Sequence, residues 1–96
     1  MESTPVTRDG DECWVLPDGT YHREDGPAFI SRNGAMEWLH YGKTHREDGP
    51  AVIWANGRVH WYLNNHQIRS AKKFQEELGL SDEDMTALLL KYGNIR

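Results

Sequence analysis

Two stretches of this 96-residue chain gather histidine, arginine, glutamate and aspartate: His22-Arg23-Glu24-Asp25 and His45-Arg46-Glu47-Asp48. Imidazole and carboxylate groups together suit first-row divalent metals, so a site made of His22, Glu24, Asp25, His45, Glu47 and Asp48 is the first chemistry to weigh. In an extended segment alternate residues share a face, which puts His22 with Glu24 and turns Arg23 and Asp25 away. A cationic arginine inside each cluster disfavours a second cation, and no metal is expected. A structural role accounts for the same residues. Each quartet runs on into Gly26-Pro27-Ala28 or Gly49-Pro50-Ala51, where aspartate supports a turn, glycine permits positive φ and proline keeps its predecessor out of the helical region. Arg23 and Arg46 are then expected to bond the neighbouring acids, and His22 and His45 to bond an adjoining unit. What chemistry remains is a ligand or partner surface formed by the two clusters on one edge.

Catalysis finds no support. Cys13 could be paired with any of five histidines, but no cysteine-enzyme motif surrounds it, and there is no nucleophile elbow, phosphate-cradling glycine loop or HExxH. A small chain of hairpins offers little depth in which to desolvate a carboxylate and raise its pKa. Neither an enzyme nor a cofactor is expected. Tryptophan and tyrosine on a sheet can stack nucleic-acid bases, yet the chain carries a net charge of −4 and only Lys72-Lys73 as a basic spot. Trp38 and Trp61 read as core, leaving Trp54 and Tyr62, and nucleic acid is not the expected partner. The acids Asp82, Glu83 and Asp84, with Glu76 and Glu77 before them, read as helix capping and solubility. Their sharper reading is an electrostatic surface, shared with the clusters, that attracts a basic partner.

The elements that must position these residues repeat. His22 to Ala28 recurs unchanged as His45 to Ala51, a period of 23 that continues through Ile30/Ile53, Asn33-Gly34/Asn56-Gly57 and Trp38/Trp61. Trp14 and Pro17-Asp18-Gly19 look like the end of an earlier copy with one residue added before His22, and Trp61 to Asn65 begins a later one. Asn-Gly between β-formers predicts a type I′ hairpin turn, pairing Ile30 with Glu37, Phe29 with Trp38, Trp54 with Val59 and Val52 with Trp61. One face then carries Phe29, Met36, Trp38, Val52, Trp54, Val59, Trp61 and Leu63. The other carries Ile30, Arg32, Glu37, Ile53, Arg58, His60 and Tyr62. From Ser70 the pattern turns helical, with Ala71, Phe74 and Leu78 on one stripe and Gly79 as a stop. Ser81 caps a second helix whose stripe is Met85, Leu88, Leu89 and Tyr92, widened by Leu90 and ended by Gly93. Helices this short must dock to persist, and the apolar face of the sheet is the expected place.

The units resemble MORN-type repeats, and the doubled heptad followed by Asn-Gly and Trp looks like a repeat of small uncharacterised proteins of tailed bacteriophages and prophages. Residues 14 to 65 carry the likeness. The residues themselves predict an α+β fold: an antiparallel sheet of stacked hairpins over residues 12–66, capped by two helices over 70–93, in one domain of 1–96 with a flexible segment at 1–10. The expected role is a non-catalytic protein-binding module, and the resemblance implies a phage-encoded modulator or inhibitor of a host protein such as a CRISPR or other defence component. The alternative is a small-ligand binder that uses Arg23, Arg46, His22 and His45 to hold an anion such as a nucleotide. A homodimer formed through the open sheet edges is a third use of the surface. No apolar run reaches the roughly 18 residues of a membrane span, the N-terminus lacks signal-peptide character, and a cytosolic address is expected.

Overall fold

The computed structural model describes residues 2–93 and Ile95. Two kinds of tight turn set its strands. Two-residue turns at Asp9-Gly10, Tyr41-Gly42 and Asn64-Asn65 have positive φ at both positions, as type I′ requires. They join β1 (Thr4–Arg8) to β2 (Asp11–Val15), β5 (Leu39–His40) to β6 (Lys43–Thr44), and β8 (Val59–Leu63) to β9 (His66–Ile68). Three-residue turns close the other hairpins. At Arg32-Asn33-Gly34 the Ser31 N–H bonds the Ala35 carbonyl at 2.8 Å, the Gly34 N–H bonds the Ser31 carbonyl at 2.9 Å, and Gly34 takes φ 97°. This is a type I turn followed by a left-handed residue, a place for glycine. The same pair of backbone bonds forms around Pro17-Asp18-Gly19 and Ala55-Asn56-Gly57.

That turn corrects the expected pairing. With β3 (Phe29–Ile30), β4 (Met36–Glu37) and β7 (Val52–Ile53), the partners are Ile30 with Met36, Phe29 with Glu37, Ile53 with Val59 and Val52 with His60. A slip of one residue exchanges the faces of a strand. Ile30 and Ile53 therefore join Met36, Val59 and Trp61, while Phe29, Val52 and Trp54 lie on the other side with Glu37 and His60. The residue added before His22 is also explained. Both His22 and His45 donate their N–H to a tryptophan carbonyl, Trp14 or Trp38, at 3.0 Å, and the earlier link holds a three-residue turn where the later one holds Tyr41-Gly42.

The fold is α+β. A seven-stranded antiparallel sheet runs β1-β2-β3-β4-β7-β8-β9, with β5 and β6 as a separate pair. Of the segment 1–10, expected to be flexible, Met1 lies outside the described residues and Thr4 to Arg8 form the first strand: Asp9-Gly10 turns the chain back so that they pair along β2. Pro5, which has no N–H to offer, sits in this edge strand. Helices α1 (Ala71–Leu78) and α2 (Asp82–Tyr92) begin as predicted, with Ser70 Oγ accepting from the Lys73 N–H at 3.3 Å and Ser81 Oγ from the Asp84 N–H at 3.1 Å. Phe74 and Met85 pack with Trp61, Leu63 and Ile68. The helices thus cover the β8–β9 end rather than the whole apolar face, and Leu90, expected to widen the stripe, is exposed. Among the described residues no helix is long and apolar enough to cross a membrane.

Candidate functional site

Continuing the strand registers by one residue lines up Trp14, Ala28, Trp38, Ala51 and Trp61 across the sheet. Small and large side chains alternate along this row. Both alanines are fully buried, since a larger side chain there would strike a tryptophan on either side. Onto this row each heptad lays its arginine: the Arg23 guanidinium lies 3.9 Å from the Trp14 ring centroid, and Arg46 lies 3.9 Å from that of Trp38. Nε bonds the aspartate two residues on, Arg23 to Asp25 at 3.0 Å and Arg46 to Asp48 at 2.8 Å. Nη1 bonds the proline carbonyl four residues on, at 3.3 and 3.0 Å. The glycine between them makes room rather than a left-handed turn. A Cβ on Gly26 would sit 2.9 Å from Arg23 Cζ, and one on Gly49 would sit 3.0 Å from Arg46 Cζ. Neither glycine has positive φ, which corrects the role expected of them.

The histidines fasten each heptad to the next turn. The Tyr41 N–H donates to His22 Nδ1 at 2.9 Å and the Asn64 N–H donates to His45 Nδ1 at 3.0 Å. A backbone N–H can only donate, so both Nδ1 atoms carry a lone pair, and the proton of the neutral ring is on Nε2. His45 Nε2 bonds Glu47 at 3.0 Å. His22 Nε2 is buried without a partner, 3.6 Å from Glu24 Oε1. His22, Glu24 and His40 do bring one ligand atom each within 4.8 Å of one another, but a metal needs the lone pair that His22 has already given to Tyr41. A cation there would require an imidazolate or a broken backbone bond. On this tautomer neither His22 nor His45 offers a metal a nitrogen lone pair while its backbone bond is kept.

The same tautomer makes His22 a site of acid sensitivity. Its side chain is 1 % exposed, and burial, followed by the nearby His40, holds its pKa below the ordinary histidine value against the opposing pull of Glu24. The Tyr41 ring also packs on it, at 4.1 Å between centroids. The unfolded chain therefore binds the proton more readily than the folded one. This contribution to stability is complete above about pH 6.5 and is lost as pH falls from there toward the folded-state pKa. The melting temperature is expected to drop between about pH 7.5 and about pH 5.5, and to drop less in His22→Asn, whose amide oxygen can accept the Tyr41 N–H at any pH. Equal slopes for the two proteins would refute the assignment.

Both heptads line one groove of about 550 Å³, floored in part by Trp38 and edged by His40. Its chemistry is asymmetric. Arg23 and Arg46 are pinned down, their side chains 25 % and 12 % exposed, whereas Glu24, Asp25, Glu47 and Asp48 are between 67 and 87 % exposed. The rim is acidic and the cations lie beneath it. The arrangement gives an anion little to hold: both Nδ1 atoms are acceptors, and the arginine nitrogens are engaged by Asp25, Pro27, Asp48 and Pro50, with Arg46 Nη2 donating to Tyr92 Oη at 3.1 Å. Arg23 Nη2 is the one heptad guanidinium nitrogen without a hydrogen-bond partner among the described residues. The helical acids do not join the groove. Asp82, Glu83 and Asp84 form the first turn of α2, Asp82 accepts from Gln75 Nε2 at 2.7 Å, Glu77 pairs with Lys73, and Glu76 is exposed on α1.

Three contributors escaped the sequence reading: the open side of Trp38, the close approach at Gly26 and Gly49, and Tyr92. A signal existed for the first two, because a Trp and a Gly at the same phase of a doubled repeat point to one packing motif. Comparisons with protein-family models, curated proteins and solved structures gave no match to this chain.

Proposed function

We propose that this protein is a non-catalytic binding module, an array of MORN-like hairpin repeats whose heptad edge docks a basic surface of another protein. One observation carries this reading. The four heptad carboxylates are exposed along a single groove, and although Arg23 and Arg46 pair with Asp25 and Asp48 while lying on tryptophan, no arginine pairs with Glu24 or Glu47 among the described residues, so the edge keeps a negative balance of four acids to two cations. Such a rim steers a positively charged partner into contact and suppresses wrong ones. The heptad histidines accept backbone N–H groups at Nδ1 and the arginines bond their own aspartates and proline carbonyls, roles that support a reading of the heptads as a binding surface. The likeness of the heptads to phage repeats, rather than the groove itself, makes a host protein such as a CRISPR or other defence component the partner to test first.

The test compares capture from host lysate by the wild-type chain and by a variant carrying Glu24→Gln, Asp25→Asn, Glu47→Gln and Asp48→Asn. These changes keep shape and remove four charges. A stoichiometric partner should be held by the wild type, and its association should slow by about tenfold or more in the variant and with added salt. Recovery of no such partner, or of one that binds both proteins alike, would defeat the proposal.

A further inference from the structure

We infer that the groove between the heptads seats a tyrosine side chain of the docked partner, an inference that rests on the binding edge proposed above and specifies what it grips. The molecule contains its own template for this contact. Tyr92, at the end of α2, sits on the second heptad: its Cε2 is 2.9 Å from where a Cβ on Gly49 would be, its Oη accepts from Arg46 Nη2 at 3.1 Å, and its ring meets Trp61 edge-on at 6.1 Å between centroids. The absence of a side chain at Gly49 is what admits the ring.

Moved back by one 23-residue period, these three contacts fall on Gly26, Arg23 and Trp38, and all three line the groove. At Gly26 the three atoms nearest a built Cβ all belong to Arg23. Arg23 Nη2, the counterpart of the nitrogen that holds the Tyr92 hydroxyl, has no partner among the described residues, although Nε and Nη1 are bonded as in Arg46. Glycine, guanidinium donor and tryptophan are thus assembled a second time, and no tyrosine among the described residues lines that groove. Arg46 also borders the groove, over Trp38 at 3.9 Å, but its nitrogens are bonded to Asp48, Pro50 and Tyr92, which leaves Arg23 Nη2 as the donor for an incoming phenol. The hydroxyl selects tyrosine over phenylalanine, because it gives the unpartnered, solvent-accessible Arg23 Nη2 a charge-assisted acceptor. The acidic rim selects a tyrosine flanked by lysine or arginine, and aromatic anchors in desolvated pockets are where binding energy concentrates.

The probes are the blocked tripeptides acetyl-Lys-Tyr-Lys-amide and acetyl-Lys-Phe-Lys-amide, titrated into the isotope-labelled full chain and followed by NMR. The tyrosine peptide is expected to give saturable shifts centred on the Gly26 N–H and the Trp38 indole N–H, with the phenylalanine peptide weaker by about threefold or more. Gly26→Val, which fills the seat, and Arg23→Lys, which removes the fork, should each weaken the tyrosine peptide toward the phenylalanine value while the rest of the spectrum stays folded. Equal affinities for the two peptides, shifts centred elsewhere such as at Trp54, or no saturable shift would overturn the seat. Capture of a protein partner that depends on the four carboxylates but is untouched by Gly26→Val would refute the seat and leave the edge standing. Loss of dependence on both would remove the edge as well.

Discussion

Trp61→Ala is expected to lower the unfolding free energy by about 3–5 kcal/mol, measured by urea denaturation of the full chain. Trp61 is fully buried and joins the sheet to both helices, with its ring edge-to-face with Phe74 at 4.9 Å and with Tyr92 at 6.1 Å. Phe74 and Tyr92 come from separate helices, so truncation at one residue releases both. For a domain of this size such a loss is a large share of the total, which is typically about 5–15 kcal/mol. The indole Nε1 is buried without a hydrogen-bond partner. Trp61→Phe gives up that unpaired donor and keeps an aromatic ring, and should therefore cost much less than Trp61→Ala. A loss below about 1 kcal/mol for Trp61→Ala would mean that the helices dock without it and would refute this account of the core.

Arg46→Ala is expected to cost about 2–4 kcal/mol, the second largest effect. Its guanidinium bonds Asp48, the Pro50 carbonyl and the Tyr92 hydroxyl while covering the Trp38 ring. Lysine supplies one ammonium in place of this planar fork, so Arg46→Lys should recover little of the loss. Arg23→Ala removes the corresponding bonds except for the one to a tyrosine, and should cost about 1 kcal/mol less. A double-mutant cycle of Arg46→Ala with Tyr92→Phe isolates that bond, with an expected coupling of about 1 kcal/mol. Wild-type stability in Arg46→Lys would show that charge alone matters and would defeat the stacked-fork description.

Local features were legible because local rules govern them. Ser70, Gly79 and Ser81 mark helix ends in the sequence and cap them in the structure, since capping needs only neighbouring side chains and backbone. The heptad bonds were legible too: arginine reaches the aspartate two residues away, and each histidine reaches the following unit. Asn65 takes positive φ and uses its side chain to accept the Thr44 N–H at 2.7 Å, a bond glycine cannot make. Misjudged features needed information from outside the segment. Asn33-Gly34 is compatible with both a two-residue and a three-residue turn, and the choice between them fixes which face of each strand is buried.

The sequence by itself determined the 23-residue period, the places of the Asn-Gly and Pro-Asp-Gly turns and of the helices, and the pairing of charges within each heptad, because these depend on residues close together along the chain. Only the tertiary structure decided the strand register, the separation of the heptad acids from the helical acids, and the seating of Tyr92 on Arg46, a bond between residues 46 positions apart. Those outcomes follow from which large side chains meet once the strands are side by side. Tryptophan packed between alanines, with arginine laid over it, is settled by packing across strands, which no stretch of the chain contains on its own.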